Sequence, residues 1–148
     1  MEIYCNTTFD LSFLRDNILT EDELKFVNPT ATLPFDEAYW LNFFNDGKKT
    51  DSLYFKVEGE IVGHVALKEA EPSVVRLCFV YINPKNRGKG LAKKMLALTE
   101  EHLISNYAVE HYQLNVNPKN TRALGLYKSM GFVEIGRSTK KILMEKTL

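Results

Sequence analysis

Hydrophobic and polar residues alternate along two consecutive segments in the middle of the chain, Asp51 to Val57 and Ile61 to Lys68. A period of two residues is typical of strands with one buried face. The residues between them, Glu58-Gly59-Glu60, have the composition of a hairpin turn. Pro72-Ser73 then separates this hairpin from an almost continuous apolar run, Val74 to Ile82. The pattern therefore predicts three successive strands.

After the third strand the hydrophobic pattern changes to a helical period. From Gly90 to about Tyr107 the apolar residues recur three and four positions apart, as in Leu91, Met95 and Leu98. This spacing predicts an amphipathic helix. A strand over His111 to Val116 follows, and then a short helix around Tyr127. Two closing strands are predicted over Val133 to Gly136 and Lys141 to Lys146.

The first fifty residues predict one strand and two helices. Glu2 to Asp10 is rich in residues that favour strands. Apolar positions between Leu11 and Leu19 fit a helix, and Glu21-Asp22-Glu23 begins a further short turn. A second helix should start at Asp36 and end near Gly47. Its aromatic side chains form two stripes, Tyr39 with Phe43 and Trp40 with Phe44. We expect one of the two stripes to pack on the sheet, and the other is a candidate lining of an acceptor pocket.

Taken together, the elements follow the order βαα, βββ, αβαββ. We expect residues 1–148 to form one domain, of the α/β or α+β class, with a mixed sheet and helices on both faces. A content of 45% hydrophobic and 26% charged residues is typical of soluble globular proteins. The first residues do not resemble a signal peptide, and no apolar run approaches the ~18 residues of a membrane span. We therefore expect a cytoplasmic protein without membrane contact.

The spacing of the cysteines and the distribution of charge reduce the number of possible function classes. Cys5 and Cys78 are far apart and match no C-x-x-C pattern, so neither a disulfide framework nor a metal site is indicated. Residues 1–71 carry 6 Lys/Arg and 14 Asp/Glu, a net charge of −8, whereas residues 72–148 carry 13 and 5, a net charge of +8. The basic half suits an anionic nucleotide, and the acidic half is either solvated surface or attractive to a cationic amine. A pI near 6.8 disfavours a nucleic-acid partner.

The most informative stretch runs from Asn86 to Ala92, between the apolar third strand and the long helix. Its two glycines, Gly88 and Gly90, let the backbone approach a ligand closely, and the N–H groups of the first helical turn suit a phosphate. No Asp or Glu lies between Glu71 and Glu100. The spacing fits neither a P-loop nor a dinucleotide fingerprint, because the third glycine position of the latter holds a lysine.

Two motifs resemble those of the GNAT superfamily of N-acetyltransferases. Arg87-x-x-Gly90-x-Ala92 resembles the loop that binds the pyrophosphate of acyl-CoA in that family. About thirty residues later, a second GNAT signature is matched at Asn120, Ala123, Leu126, Tyr127, Gly131 and Phe132. The second motif is also a short helix in physical terms, with Asn120 as its N-cap and a glycine after its end.

The resemblance implies a GNAT-like sheet, mostly antiparallel, with acetyl-CoA as the cofactor. In that fold the strands Val74 to Ile82 and His111 to Val116 splay apart, and pantetheine lies in the opening. Backbone groups near Val80 and Ile82 would bind the pantetheine arm, and Asn120 would reach its end. The pyrophosphate would be held by the amides of the loop, namely Arg87, Gly88, Lys89, Gly90, Leu91 and Ala92.

Acetyl transfer to an amine needs an oxyanion site, an acid for the departing thiolate and a neutral nucleophile. A backbone N–H between Val80 and Ile82 is a candidate for the oxyanion site. The resemblance implies that Tyr127 is the general acid. The family often places a carboxylate base at positions that correspond here to Arg76 and Asn115, neither of which accepts a proton at neutral pH. A water chain along the strand remains an alternative, as do four side chains: His64, Glu69, Glu71 and His111.

A covalent route through Cys78 is also conceivable, but a cysteine inside an apolar strand is usually buried and inert. We therefore expect direct transfer to a primary amine in a ternary complex. The acceptor is expected to be a small amine, with a peptide N-terminus or lysine as the alternative. A non-catalytic acyl-CoA sensor is an alternative of a different class. Edge strands near the C-terminus would also permit pairing in a homodimer.

Overall fold

The computed structural model describes all 148 residues. Seven strands form a single sheet in the spatial order β1-β2-β3-β4-β5-β7-β6, with these bounds: β1 (Glu2–Cys5), β2 (Thr50–Val57), β3 (Glu60–Glu71), β4 (Val74–Ile82), β5 (His111–Val116), β6 (Val133–Arg137) and β7 (Ile142–Thr147). The five α-helices are α1 (Ser12–Asn17), α2 (Glu21–Val27), α3 (Glu37–Leu41), α4 (Leu91–Asn106) and α5 (Thr121–Ser129). Only the pair β4–β5 is parallel. The predicted mixed, mostly antiparallel sheet is confirmed.

The larger hydrophobic core lies between one face of the sheet and helices α4 and α5. Leu67 and Leu77 from the sheet meet Met95 and Leu103 of α4 and Tyr127 of α5 in this core. The first four of these side chains are at most 3% exposed. Complete burial of each such residue contributes about 1.5–3 kcal/mol, so this contact accounts for much of the fold's stability.

The opposite face of the sheet packs against α1, α2 and α3. Leu14, Leu24 and Trp40 from these helices surround Ala66 of β3 and Tyr81 of β4. Helices therefore lie on both faces of the sheet, as predicted. They do not cover it evenly, because β5 and β7 contribute nothing to this second core. The residues of β5 and β7 that point to this side are half-buried or exposed: Gln113, Asn115, Leu143 and Glu145.

The N-terminal region differs from its prediction in three ways. The first strand ends at Cys5, and the short turn that begins at Glu21 is a true helix, because the Thr20 side chain accepts a hydrogen bond from the Glu23 amide and caps it. The aromatic helix ends at Leu41 instead of near Gly47. After it, the backbone bonds change to a three-residue spacing, and Phe43 and Phe44 pack against the Phe79 ring.

The hairpin between β2 and β3 has the predicted turn. Glu58 and Gly59 both have positive φ angles, 52° and 81°, which is the backbone of a two-residue turn that matches strand twist. At the other end of the sheet β6 is an edge strand, and Val133 and Ile135 on it are exposed. Dimer pairing through this edge stays a prediction. None of the helices has the length and apolar character needed to cross a membrane.

Candidate active site

The two central strands separate where the chemistry was predicted. β4 and β5 pair in parallel from Val74 opposite His111 as far as Leu77 opposite Leu114. Beyond this point β4 continues to Ile82 and β5 to Val116 without pairing to each other. Both strands therefore leave backbone groups free at this opening, which lies at their carboxyl ends.

A β-bulge shapes the β4 side of the opening. On β3 the pairing changes register between His64 and Ala66, whose partners on β4 are Tyr81 and Cys78. Two residues of β4, Phe79 and Val80, therefore lie opposite a single residue of β3. Phe79 has a φ of 49°, a left-handed conformation that costs a bulky residue about 1–3 kcal/mol. The bulge turns the β4 backbone beside the opening.

The bulge is held by a buried histidine. His64 is completely enclosed, its Nδ1 donates to the Phe79 carbonyl at 2.8 Å, and its Nε2 accepts from the Ser52 hydroxyl at 2.8 Å. Asn6 extends this network by donating to the Ser52 hydroxyl at 3.0 Å. Burial lowers the pKa of His64 to about 4, so the ring is neutral at physiological pH. His64 is thus a structural group, and it is not available as the base.

The backbone of the predicted phosphate loop is left-handed at both of its glycines. Gly88 and Gly90 have φ angles of 77° and 73°, and Gly90 is the N-cap of α4. A Cβ atom added at Gly90 would have no neighbour within 4 Å, so the space in front of the loop is open. The first N–H groups of α4 have no partner within the helix and point toward this space. Of the three exposed cations of the loop, Lys85 and Arg87 form ion pairs with Glu60 and Glu23, and Lys89 has no carboxylate partner.

Arg87 makes contacts inside the protein. Its Nε donates to the carbonyl of Ile82 at 2.8 Å, and its guanidinium forms an ion pair with Glu23 of α2. The same guanidinium lies over the Tyr81 ring, 5.3 Å from its centre. The Arg87 side chain thus joins the loop to α2. It also occupies one of the two lone pairs of the Ile82 carbonyl oxygen. The backbone amide of Arg87 donates to Pro84, which leaves the later amides of the loop for a ligand.

Helix α5 brings the second motif to the same region. The Asn120 side chain accepts from the Ala123 amide at 3.2 Å and is the predicted N-cap. Arg122 in the first turn places its Nη2 4.0 Å from the position of a Cβ on Gly88. Arg122 therefore adds a cation to the phosphate loop, a role that the sequence reading missed. Its place two residues after Asn120, the N-cap of the second motif, was the available signal.

Tyr127 lies on α5, in the core that α4 and α5 form with the sheet. Its ring is buried against Phe132, and burial strongly raises the pKa of its phenol, with the Cys78 side chain as the second cause. The Tyr127 hydroxyl makes no hydrogen bond, and it is not one of the two fully enclosed unpartnered polar atoms, which belong to Arg76 and Tyr112. The phenol is thus protonated and free to donate.

Three of the candidate bases lie at the far end of β4. Glu69 and Glu71 pair with Val75 and Val74, and His111 also pairs with Val74. These positions are four or five residues, roughly 13–17 Å of extended strand, from the bulge at Phe79. All three positions therefore lie where β4 and β5 are still paired, before the strands separate beyond Leu77 and Leu114. Cys78 follows Leu77 directly, but burial raises the pKa of its thiol to about 11, so the reactive thiolate is scarce.

A family model described as the acetyltransferase (GNAT) family matches residues 16–132, which is most of the chain. The chain belongs to the GNAT family of acetyltransferases. The predicted family, the enzyme class of acyltransferase and acetyl-CoA as the cofactor are thereby confirmed.

Two GNAT relatives are similar in sequence. Over 121 residues the chain is 26% identical to the spermine/spermidine N(1)-acetyltransferase of Bacillus subtilis, a match that covers 77% of this chain and 75% of that protein. Over 59 residues it is 39% identical to the peptidyl-lysine N-acetyltransferase YjaB of Salmonella typhimurium, which covers 40% of this chain and 37% of that protein. The match thus spans little more than a third of YjaB.

Solved GNAT structures share the fold. The aminoglycoside acetyltransferase AAC(6')-Ib in complex with ribostamycin and coenzyme A superposes with a TM-score of 0.80 at 21% identity, covering 98% of this chain and 92% of that one. Spermidine N-acetyltransferase from Vibrio cholerae in complex with CoA and spermine gives 0.76 at 19% identity, covering 99% and 94%. At these identities the likeness supports the fold alone.

Proposed function

We propose that this GNAT protein transfers the acetyl group of acetyl-CoA directly to a primary amine in a ternary complex. Two observations support this proposal: the protonated phenol of Tyr127 makes no hydrogen bond within the protein, and β4 continues past its last pairing with β5 through the bulge at Phe79. The amide-rich loop from Gly88 to Ala92 lies at the carboxyl end of β4, where it would hold the pyrophosphate of the cofactor. Pantetheine would extend from there along Val80 and Ile82 into the opening, with Asn120 near its end.

The reaction then needs few protein groups. The neutral amine attacks the thioester carbonyl, and a backbone N–H of the bulge region near Val80 stabilises the resulting oxyanion. The C–S bond breaks, and Tyr127 gives its proton to the departing thiolate. The amine nitrogen loses one proton, which balances the proton that Tyr127 has donated.

We further propose that water, and not a side chain, takes the proton from the amine. The enclosure of His64 and the distant positions of Glu69, Glu71 and His111 support this choice. If so, the pH dependence of kcat/KM follows the pKa of the acceptor amine and shifts when the acceptor is exchanged for a less basic one. An ascending limb that stays at one pH for all acceptors would instead indicate a side-chain base. The high pKa of Cys78 supports direct transfer over an acetyl-cysteine intermediate.

The experiment that tests the function is release of free thiol from acetyl-CoA across an amine panel. The panel contains polyamines, aminoglycosides, amino acids, and peptides with a free N-terminus or lysine. Release above the hydrolysis background with one class establishes catalysis and identifies the acceptor class. No release with any class, together with confirmed acetyl-CoA binding, would contradict the proposed activity.

A further inference from the structure

Arg76 lies on the sheet face that carries α1 to α3, opposite Gln113 and one residue before the last paired position of β4 and β5. On β4 it is two residues before Cys78, so the two side chains point to the same side, with their Cα atoms roughly 7 Å apart. Lys68 of β3 and Gln113 of β5 are its direct neighbours in the sheet. Arg76 thus occupies one of the positions where the family resemblance led us to expect a carboxylate base.

The guanidinium of Arg76 is poorly satisfied by the protein. Its Nη2 donates to the Gln113 side chain at 3.3 Å, a long contact, and its enclosed Nε has no partner. No carboxylate oxygen lies within 4.0 Å of the group, since Arg76 forms none of the ion pairs of the structure. A half-buried cation without an anion is unfavourable unless a further group compensates it.

The neighbouring charges are already paired with other groups. Lys68 forms an ion pair with Asp46 and donates to the Phe43 carbonyl at 2.6 Å. Glu145 accepts from the Gln113 amide at 2.7 Å, on the side of Gln113 away from Arg76. In this row of charged residues across the sheet, Arg76 is therefore the cation without a carboxylate partner.

The Arg76 side chain is half-buried and points to the side opposite α4 and α5. Helices α1 to α3 lie over β3 and β4, and no helix covers β5 and β7 on that face, where Asn115 is exposed. The family resemblance places the amine site along the first helices, on this same face. An acceptor bound there would have its amine at the opening and another part of its structure beside Arg76.

We infer that the amine acceptor carries a carboxylate a few bonds from its amine, and that Arg76 binds this carboxylate. This inference rests on the proposed function. The planar guanidinium matches the two oxygens of a carboxylate, and the missing ion-pair partner would then be supplied by the substrate. An amino acid or a peptide with an acidic group near its amine fits this requirement. A polyamine does not, because its charges would be repelled by Arg76.

The test compares amino acids with the amines that lack only the carboxylate. With wild-type protein we expect kcat/KM to be at least ~10-fold higher for the carboxylated member of a pair, which corresponds to about 1.4 kcal/mol. Arg76→Gln should remove this preference, and Arg76→Lys should retain part of it. Arg137→Gln is the matched control, because Arg137 is an exposed arginine that pairs with Glu134 on the edge strand. Faster turnover of the decarboxylated amines or of polyamines would overturn the inference and leave the proposed function intact.

A binding measurement separates failure of the inference from failure of the function. N-acetylated amino acids are the expected products, and calorimetry reports their binding to wild-type protein without any turnover. Binding that weakens at least ~10-fold in Arg76→Gln supports the carboxylate site even if no acceptor releases thiol. Equal binding to both proteins, or none to the wild type, would refute it.

Discussion

His64 donates a hydrogen bond from Nδ1 to the carbonyl oxygen of Phe79 at 2.8 Å, and through it a side chain on β3 fixes the irregular backbone of β4. The positive φ angle of Phe79 is an unfavourable backbone conformation, so contacts with surrounding residues must stabilise the bulge. The Ser52 hydroxyl completes that support by holding the other ring nitrogen. The backbone next to the proposed oxyanion site is therefore positioned by two buried side chains, His64 and Ser52.

This histidine should make the stability of the fold depend on pH. Its pKa is about 4 in the folded protein and 6.5 in its ordinary state, so the unfolded chain binds more protons between these values. The free energy of unfolding should be highest above pH 6.5 and should decrease by about 3 kcal/mol in total as the pH drops toward 4. Urea unfolding at several pH values measures this. His64→Gln should flatten the dependence over that window, and His111→Gln, at a half-exposed site, should not.

Removing the Tyr127 hydroxyl should reduce turnover without weakening cofactor binding. For Tyr127→Phe we expect kcat to fall by about 100-fold or more, because the thiolate loses its proton donor. Equilibrium binding of acetyl-CoA should change little, since the ring is retained. Tyr112→Phe is the matched control, because Tyr112 is also buried and its enclosed hydroxyl has no partner. Unchanged kcat in Tyr127→Phe would exclude it as the general acid.

The phosphate loop has a control that separates backbone strain from ligand contact. Gly90 and Gly47 have similar positive φ angles, 73° and 83°, and neither has a neighbour within 4 Å of an added Cβ. Valine at either site should destabilise the fold by a similar amount, about 1–2 kcal/mol. Only Gly90→Val should also weaken acetyl-CoA binding, by at least ~10-fold in calorimetry, because its side chain fills the space of the phosphates. If the two folded variants bind acetyl-CoA with equal affinity, the assignment of this loop as the phosphate-binding loop is wrong.

Gly63 is required by the close packing of α4 on the sheet. An added Cβ would lie 2.7 Å from Met95 Sδ and 2.9 Å from the Tyr81 carbonyl, and this backbone atom cannot move without disturbing the bulge. Gly63→Ala should lower the free energy of unfolding by about 1–3 kcal/mol. Gly125→Ala, at an open helical position, should raise it by about 0.5–1 kcal/mol. Thermal and urea unfolding of both variants checks the opposite signs.

Local patterns in the sequence were sufficient to predict the main elements of the fold. The strands Val74–Ile82 and His111–Val116 have the bounds that their hydrophobic runs predicted, and Asn120 caps its helix. These features depend on contacts between residues close in the chain. The loop around Gly90 belongs to the same class, because positive φ angles and a helix start are decided within a few residues.

The tertiary structure decided the rest of the site. The bulge at Phe79 and the burial of His64 depend on how β3 and β4 align, and a change of register redirects every side chain that follows. The same alignment places Glu69 opposite Val75, four residues from the bulge, and leaves Arg76 without an anion. Alternation along a strand shows which side chains share a face, but only the long-range pairing shows what lies next to them. The role of the buried histidine as a support, and the lack of an anion beside Arg76 from which we infer a binding group, are therefore visible only in the folded chain.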